Sequence, residues 1–560
     1  MQHSEVAQHC RTTLSPIMIP PQCRPPMRRL MCNHRKHLTT SASAHCRPCM
    51  PTKGRPPWSA GRKLIRTSIF KDDEIYLDPL QIHNEEPNKT NYLNRASPNE
   101  CVYTRSNVGM NAILINEKYM TLKCINQLYK ELRNGEINFT KRFTFLTSIS
   151  NESFSHGYNL LHLLKIVEVH QKGKNKKHAD VLKKILCNIN ELSYLTFSYR
   201  KPLIVYCNGS VRGSGGFIPF LANNSAAYFH SSYSYTNLRY SFLPYGGISY
   251  VLANLRGSIG FYLALTGETI KSADLIWCGL TKRWVAEECL ELMELTSESQ
   301  LEVSEQDANL LLEEHFLRVP KMYSLKSYEE IIHDHFKYPS LMQIMAKLDA
   351  SRKRTHPDER VRLWAEKTYQ QICSQPPIAA HLTFEIMNLL RTHKMELLKK
   401  AQVTKKLYNQ MTQNSYKVVP TTREEVSLAE LKFAIDSELL VKALNMETNA
   451  IANFISCPDA LNGITSYLVK DTDHSFKCSY LNNSLLETKK DIIHYFLFYK
   501  NEYEFAVRER PDISFSSLSA LDRCNQPCGA YDRHFYAEQS KRWSDDYLED
   551  QLDEINRLAL

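Results

Sequence analysis

The sequence predicts an α/β protein with a helical carboxyl-terminal region and extra extensions at both ends. Between residues 101 and 210, short apolar strand-like runs alternate with segments whose apolar residues recur at helical spacing. From residue 283 to about 415 the spacing is helical. The chain has 560 residues and is 43% hydrophobic, which suffices for one large core or two ordinary ones.

Local pattern predicts the elements of the amino-terminal half. Strands are predicted at 111–116, 142–149 and 201–210, and helices at 120–135 and 178–197. Gly135 supplies a carboxyl-terminal stop for the first of these helices. The order strand, helix, strand, helix, strand favours a layered α/β structure.

Positive charge is concentrated at the amino terminus. Residues 1–60 hold nine Lys or Arg against Glu5 alone, so the other 500 residues carry only +2 of the formal charge of +10. A segment that is rich in Arg, Ser and Thr and poor in acids is typical of an organellar transit peptide. Nine prolines in the stretch oppose a long amphipathic helix, which leaves a basic arm as the alternative. We expect targeting to the mitochondrial matrix.

Composition also argues against other classes. The 16 cysteines are scattered, which is typical of free thiols in a reducing compartment. No apolar run approaches the ~18 residues of a membrane-spanning helix, so no membrane association is expected. The leader contains Cys32, His34, His37, Cys46 and Cys49. Proline-rich surroundings and the lack of a second clean Cys-x2-Cys pair favour coincidence over zinc, so no metal is expected.

Two glycine-rich turns are the candidate functional segments of the sequence. Residues 154–159 and 208–216 each follow a strand, and such turns present backbone N–H groups that bind phosphate or stabilise an oxyanion. Neither has the spacing of a nucleotide-binding fingerprint. Taken alone, neither turn identifies a ligand.

Together with the sequence after them, the turns resemble the crotonase (enoyl-CoA hydratase/isomerase) superfamily, and within it the 3-hydroxyisobutyryl-CoA hydrolase branch. Residues 154–159 look like the family's F-C-A-G-G-D, and residues 208–216 look like its H-G-x-x-M-G-G-G. The stretches 243–280, with the block YLALTG, and 461–471 are similar to two later motifs. The resemblance implies a spiral core of stacked ββα turns, and an acyl-CoA whose thioester oxygen is bound by two backbone N–H groups.

The resemblance also implies four site positions. The oxyanion donors would be the backbone amides of Tyr158 and Ser214, where the family has glycine. The catalytic Glu and Asp of the hydrolases correspond to Asn237 and Tyr245. An amide accepts no proton near neutral pH, and a phenol with a pKa near ~10 is a poor base. The sequence therefore predicts a site that has lost both carboxylates.

No Asp or Glu occurs between Glu191 and Glu268, a stretch that contains both catalytic positions, ten Tyr and six Phe. Such a stretch suits contact with phosphates and stacked bases, of CoA or of RNA. We favour the alternative, in which tyrosines fill a cleft that is no longer used. We expect His230, the only histidine there, in the core or at the surface rather than in catalysis.

Composition and the resemblance together divide the chain into seven segments. These are a basic, proline-rich leader (1–60), a linker (61–100), the ββα core (101–282), a helical part of the domain (283–412), an insertion (413–455), a carboxyl-terminal family segment (456–480) and an extension with an acidic end (481–560).

Three functions remain open. The loss of the carboxylates favours a non-catalytic assembly protein, such as a mitochondrial ribosome subunit with mitochondrial ribosomal proteins and rRNA as partners. The second is an active 3-hydroxyisobutyryl-CoA hydrolase of valine breakdown, and the third is an acyl-CoA-binding regulator. We expect no cofactor, and a CoA thioester as substrate or ligand only where the cleft is functional. Self-association, common among crotonases, is compatible with each.

Overall fold

A computed structural model of the chain describes residues 101–285, 317, 323–414, 423–470 and 484–499, apart from short gaps at 107–108, 139, 151, 173–176, 223, 272, 354–355 and 489. The predicted leader and linker lie outside these residues, as do most of the carboxyl-terminal extension and the five residues weighed for zinc. All of the described residues belong to a single folded unit.

Two sheets contain the strands of the described residues. The strands are β1 (Val102–Ser106), β2 (Gly109–Ile115), β3 (Lys141–Ser148), β4 (Ser153–Ser155), β5 (Leu203–Cys207), β6 (Ser210–Arg212), β7 (Asn224–Ala227), β8 (Ser232–Ser234), β9 (Ile270–Lys271) and β10 (Arg283–Trp284). The larger sheet has the order β1-β2-β3-β5-β7-β10, and the smaller has the order β4-β6-β8-β9.

Helices cover the sheets and make up most of the carboxyl-terminal half. They are α1 (Leu122–Ile137), α2 (Leu160–Gln171), α3 (Lys177–Phe197), α4 (Ile248–Ala253), α5 (Ile259–Thr266), α6 (Ala273–Cys278), α7 (Glu329–Phe336), α8 (Leu341–Ser351), α9 (Glu359–Cys373), α10 (Pro377–Lys400), α11 (Lys405–Asn414), α12 (Arg423–Phe454), α13 (Pro458–Lys470) and α14 (Lys490–Phe498). Short 3-10 helices occupy Gly213–Phe217, Asn237–Tyr240, Leu325–Tyr328 and Leu485–Glu487. Within the described ranges, no helix is both long enough and apolar enough to cross a bilayer.

Successive turns of the chain add one strand to each sheet. In the consecutive pairs β3 and β4, β5 and β6, and β7 and β8, the first strand enters the larger sheet and the second enters the smaller. Neighbouring turns pair in parallel in both sheets. A helix or a 3-10 helix follows each pair. The predicted α/β class and its core of stacked ββα turns are therefore confirmed.

The predicted stop at Gly135 is wrong, because α1 continues through it to Ile137. A Cβ atom at this glycine would lie 2.6 Å from Asn111 Nδ2 and 2.8 Å from Thr144 Oγ1, both on the larger sheet. Gly135 thus allows α1 to approach the sheet closely and does not end the helix. The spacing of apolar residues gave no sign of this contact.

Two other predicted segments differ in detail. Part of the second glycine-rich turn is strand β6, because Ser210 and Val211 pair in parallel with β4, and all three residues from Ser210 to Arg212 pair in parallel with β8. The region predicted as helical from residue 283 begins with β10, which pairs with β7. The remaining described residues of that region are mainly helical.

Much of the predicted insertion is α12, a helix of 32 residues. Its buried side chains recur at helical spacing: Leu439, Leu440, Ala443, Leu444, Ala450 and Ile451. They join the main hydrophobic core of the protein. This helix is therefore part of the folded unit, while the boundaries between the predicted segments stay predictions.

A fully buried carboxylate ties α12 to the start of α4. Glu447 accepts hydrogen bonds from the backbone N–H groups of Gly247 at 2.7 Å and Ser249 at 2.9 Å. Burial raises the pKa of Glu447 to about 7, although these hydrogen bonds act in the opposite direction. A carboxyl group buried in the core thus fixes the backbone just after the predicted catalytic position Tyr245.

Candidate functional site

The first glycine-rich turn begins at the end of β4. Gly157 has a φ of +85°, a conformation that favours glycine, and its carbonyl accepts from the N–H of Met120 at 2.8 Å. Asn159 then caps α2, because its side chain accepts from the N–H groups of Leu161 and His162. The backbone of Tyr158 is therefore held between a bridge to residue 120 and a helix cap.

The second glycine-rich turn lies against the first. It continues from β6 into the 3-10 helix that starts at Gly213. A Cβ atom at Gly215 would lie 2.6 Å from the backbone N of Gly157 and 2.8 Å from the carbonyl O of Ser155. Glycine is needed at residue 215 because two backbone segments meet there.

Tyr245 occupies the backbone donor of the first turn. Its phenolic oxygen accepts a hydrogen bond from the N–H of Tyr158 at 2.8 Å. Both side chains are buried, and a Cβ atom at Gly157 would lie 2.5 Å from the same phenolic oxygen. The hydroxyl group thus fills the space directly in front of the first turn.

Asn237 occupies the backbone donor of the second turn. Its Oδ1 atom accepts from the N–H of Ser214 at 3.0 Å and from the hydroxyl of Tyr240 at 2.8 Å. Its Nδ2 group donates to Ser214 Oγ and to the carbonyl of Leu243, both at 2.8 Å. The side chain is fully buried and makes four hydrogen bonds, which is the full capacity of an amide.

The structure therefore brings the four predicted site residues into one cluster. The two halves are joined because the backbone N–H of Tyr245 donates to Ser214 Oγ at 3.1 Å. Each of the two backbone N–H groups predicted as oxyanion donors, those of Tyr158 and Ser214, has an acceptor from the chain itself. An external oxygen would reach these donors only after the side chains of Tyr245 and Asn237 moved away.

Proton chemistry at this cluster is disfavoured. Burial raises the pKa values of Tyr158 and Tyr245 well above that of a free phenol, so both are neutral at physiological pH. No hydrogen-bond partner of the Tyr158 hydroxyl is found in the described part of the protein. The cluster offers neutral amide and hydroxyl groups where acyl transfer needs a base or a nucleophile.

Tyrosines fill the interior around this cluster. Eight of the ten tyrosines between Glu191 and Glu268 are buried, with at most 9% of each side chain exposed: Tyr199, Tyr206, Tyr233, Tyr235, Tyr240, Tyr245, Tyr250 and Tyr262. They are core residues in the main hydrophobic cluster, or in the smaller one in the case of Tyr206. This placement agrees with the interpretation that tyrosines replace smaller side chains.

Neither nearby histidine takes part in the cluster's hydrogen bonds. His230 is exposed in the turn before β8, with its ring 5.4 Å from that of Phe229. His156 lies in the first turn, and its Nε2 atom is 2.9 Å from Ser210 Oγ. Burial lowers the pKa of His156 to about 3, with further contributions from Arg212 and Lys118. His156 is therefore uncharged at neutral pH.

Two residues that hold the site have no local signal in the sequence. Tyr240 donates to Asn237 from within the same 3-10 helix, and Glu447 holds the backbone after Tyr245 from 200 residues away. In the described ranges, no group of three or more His, Cys, Asp or Glu side chains is placed to hold a metal ion.

The model of the enoyl-CoA hydratase/isomerase family matches residues 116–402, just over half of the chain. The chain therefore belongs to the enoyl-CoA hydratase/isomerase family. It is similar to a carnitinyl-CoA dehydratase from Mycobacterium thermoresistibile, with a TM-score of 0.55 at 16% identity over 73% of this chain and 100% of that structure. At this identity the likeness shows the fold alone.

Two relatives of the chain are known by different functions in their names. The small ribosomal subunit protein mS47 of Arabidopsis thaliana is 24% identical over 241 residues, 42% of this chain and 55% of the relative. The mitochondrial 3-hydroxyisobutyryl-CoA hydrolase of Mus musculus is 22% identical over 290 residues, 49% of this chain and 71% of the relative. The chain thus spans about half of the length of the plant relative. The relatives place the chain in mitochondria, as its amino-terminal composition predicts.

Proposed function

We propose that this protein is a non-catalytic structural subunit of the small subunit of the mitochondrial ribosome. The observation that carries the proposal is the occupation of both backbone donors by the chain's own side chains, Tyr245 on Tyr158 and Asn237 on Ser214. In a crotonase-fold enzyme these donors hold the thioester oxygen. Here they stabilise the fold of the protein.

The contributions of such groups to the rate are large enough that we expect activity to be lost and not merely weakened. One oxyanion donor contributes about 10²–10³-fold to a rate, and one acid or base contributes about 10²–10⁴-fold. The resemblance puts Asn237 and Tyr245 at the positions of the two carboxylates, and the same two side chains accept from both donors. Each of these two replacements therefore removes two contributions to the rate, that of a carboxylate and that of an oxyanion donor.

The ribosomal role is supported by the plant relative, whose name is that of a small ribosomal subunit protein. Mitochondrial ribosomal proteins and rRNA are accordingly the proposed partners. The segments 1–100 and 481–560 of this chain lie beyond the match to the family model at 116–402.

The test is sedimentation of the native protein. Salt-washed mitochondrial lysate is separated on a sucrose gradient, with a soluble matrix enzyme as the control. We expect the full chain to migrate with the small ribosomal subunit, and to stay with it after magnesium is removed to separate the subunits. Migration of the whole population with the soluble marker would contradict the ribosomal role.

An active 3-hydroxyisobutyryl-CoA hydrolase is the second candidate, supported by the match to 71% of the mouse hydrolase. It requires the side chains of Tyr245 and Asn237 to leave the donors when substrate binds. An acyl-CoA-binding regulator requires the same movement without turnover. Thiol release from 3-hydroxyisobutyryl-CoA separates these two functions, and calorimetric titration with a CoA thioester separates both from the ribosomal role.

A further inference from the structure

The last described helix, α14, presents a row of aromatic side chains to solvent. Tyr495, Phe498 and the following Tyr499 are 51%, 52% and 55% exposed. The rings of Tyr495 and Tyr499 lie 4.9 Å apart, and those of His494 and Phe498 lie 4.7 Å apart. We call these four residues the aromatic face.

The orientation of this face is fixed by contacts on the other side of α14. Ile493 and Phe496 are buried there, and the ring of Phe496 packs on Phe454 of α12 at 5.6 Å. Asn453 Nδ2 donates to the carbonyl of Phe496 at 2.9 Å and to that of Tyr499 at 3.2 Å. A contiguous aromatic surface on a firmly packed helix is typical of a docking site.

The chain itself supplies a segment that fits this face. It continues for 61 residues beyond Tyr499, and its last 17 residues, 544–560, contain six acids against Arg557 alone. Their apolar residues Leu548, Leu552, Ile555 and Leu558 are spaced as on one face of a helix. Ser544 followed by two aspartates is typical of a helix start.

We propose that residues 544–560 dock as an amphipathic helix on the aromatic face of the same chain. The apolar side chains of the segment pack on Tyr495 and Phe498. The acids can pair with Lys490, which is exposed at the first residue of α14, and with Lys489 and Lys500, which flank the helix in the sequence. The apolar side of the segment thus matches the aromatic face, and its six acids match the three lysines in the sequence around a helix whose one acid is Asp491.

The length of the tether supports docking within one chain. Residues 500–543 form a linker of 44 residues, whose root-mean-square span is about 35–40 Å if it behaves as a flexible coil. The linker starts at the aromatic face, so this span suffices for return to it. Tethering gives an effective concentration of about a millimolar. Even a sub-millimolar intrinsic affinity would therefore keep the face covered until another partner takes the segment or the face.

The test is zero-length coupling of carboxylates to amines with a carbodiimide in the purified full chain. Equal amounts of ¹⁴N- and ¹⁵N-labelled protein are mixed, and linked peptides are read by mass spectrometry. We expect links from the acids of 545–554 to Lys489, Lys490 or Lys500, formed within chains of one label. Docking on a second copy would join differently labelled peptides in about half of the links, because copies in a symmetric pair assort at random, and mixed links at that level would overturn the proposal. Absence of any link between these acids and these lysines would overturn it outright.

Matched variants separate docking from random collisions of the tail. Phe498→Asp on the face, and Leu552→Asp with Ile555→Asp on the segment, should each lower the yield of these links about tenfold or more, because a charge is then placed in an apolar contact. The segment variant leaves the described fold untouched. Phe229→Asp is the control, since Phe229 is an aromatic residue 58% exposed elsewhere. Equal yields in all of these variants would overturn the proposal.

Discussion

Replacing Tyr245 by phenylalanine removes only the hydroxyl group that accepts a hydrogen bond from the backbone N–H of Tyr158. The ring stays, so the packing of a side chain with only 4% exposure is preserved. The N–H of Tyr158 loses the acceptor that now lies 2.8 Å away. Because an orphaned buried donor costs about 1–3 kcal/mol, we expect Tyr245→Phe to lower the free energy of unfolding by that amount.

Tyr240→Phe is a matched control for this change. Tyr240 is also 4% exposed, and its hydroxyl donates to Asn237 Oδ1 at 2.8 Å. That oxygen keeps the N–H of Ser214 as a partner, so no buried group is orphaned. The expected loss is therefore only that of an ordinary hydrogen bond, about 0.5–1.5 kcal/mol.

The assay is equilibrium unfolding in urea, together with hydrogen exchange of the Tyr158 amide in the native protein. We expect the Tyr245→Phe variant to be less stable than the Tyr240→Phe variant by about 1 kcal/mol. It should also show faster exchange at residue 158, because that amide no longer has an acceptor. Equal stabilities with unchanged protection of the Tyr158 amide would refute the reasoning.

Three further predictions concern Glu447, Gly135 and the site cluster. Because burial raises the pKa of Glu447 to about 7, the folded state keeps a proton that the unfolded state releases near pH 4.5. The free energy of unfolding should therefore fall by up to about 3 kcal/mol as pH rises from 4.5 to 7. Glu447→Gln should flatten this pH dependence in urea unfolding, and an unchanged slope would contradict the role of Glu447. Gly135→Ala should lower the stability measured by thermal unfolding by about 1–3 kcal/mol, because the new Cβ would lie 2.6 Å from the side chain of Asn111. This cost exceeds the better helix propensity of alanine, and a gain in stability would show that the neighbouring side chains move aside. The triple variant Asn237→Glu, Tyr245→Asp, Tyr158→Gly should not release thiol from 3-hydroxyisobutyryl-CoA, because other tyrosines still fill the interior. Micromolar binding of a CoA thioester to this variant in calorimetry would contradict this reason and show that the cleft persists.

The sequence predicted the fold to the extent that local pattern determines it. The strands at 111–116 and 142–149 and the helix at 178–197 agree with β2, β3 and α3 to within two residues. Periodicity predicts these elements because each buries one face or one run of apolar residues. It did not predict that α1 continues through Gly135, because that glycine is required by side chains of other elements.

The candidate site, like the fold, could be predicted from the sequence only in part. The two glycine-rich turns and the four positions were found from the sequence, since spacing along the chain identifies them. The hydrogen bond between Tyr158 and Tyr245 joins residues 87 positions apart, and no spacing rule predicts it. The loss of both carboxylates stays a prediction from the resemblance, whereas the tertiary structure shows that Tyr245 and Asn237 accept from the N–H groups of Tyr158 and Ser214.

The most direct test of the account is thiol release from 3-hydroxyisobutyryl-CoA by the purified full chain, with the mouse hydrolase as the positive control. We propose that Tyr245 and Asn237 replace the carboxylates and cover the donors that would hold the thioester oxygen. We therefore expect no release above the uncatalysed rate. Turnover of about one per second or faster, within the ordinary range of enzymes, would contradict it.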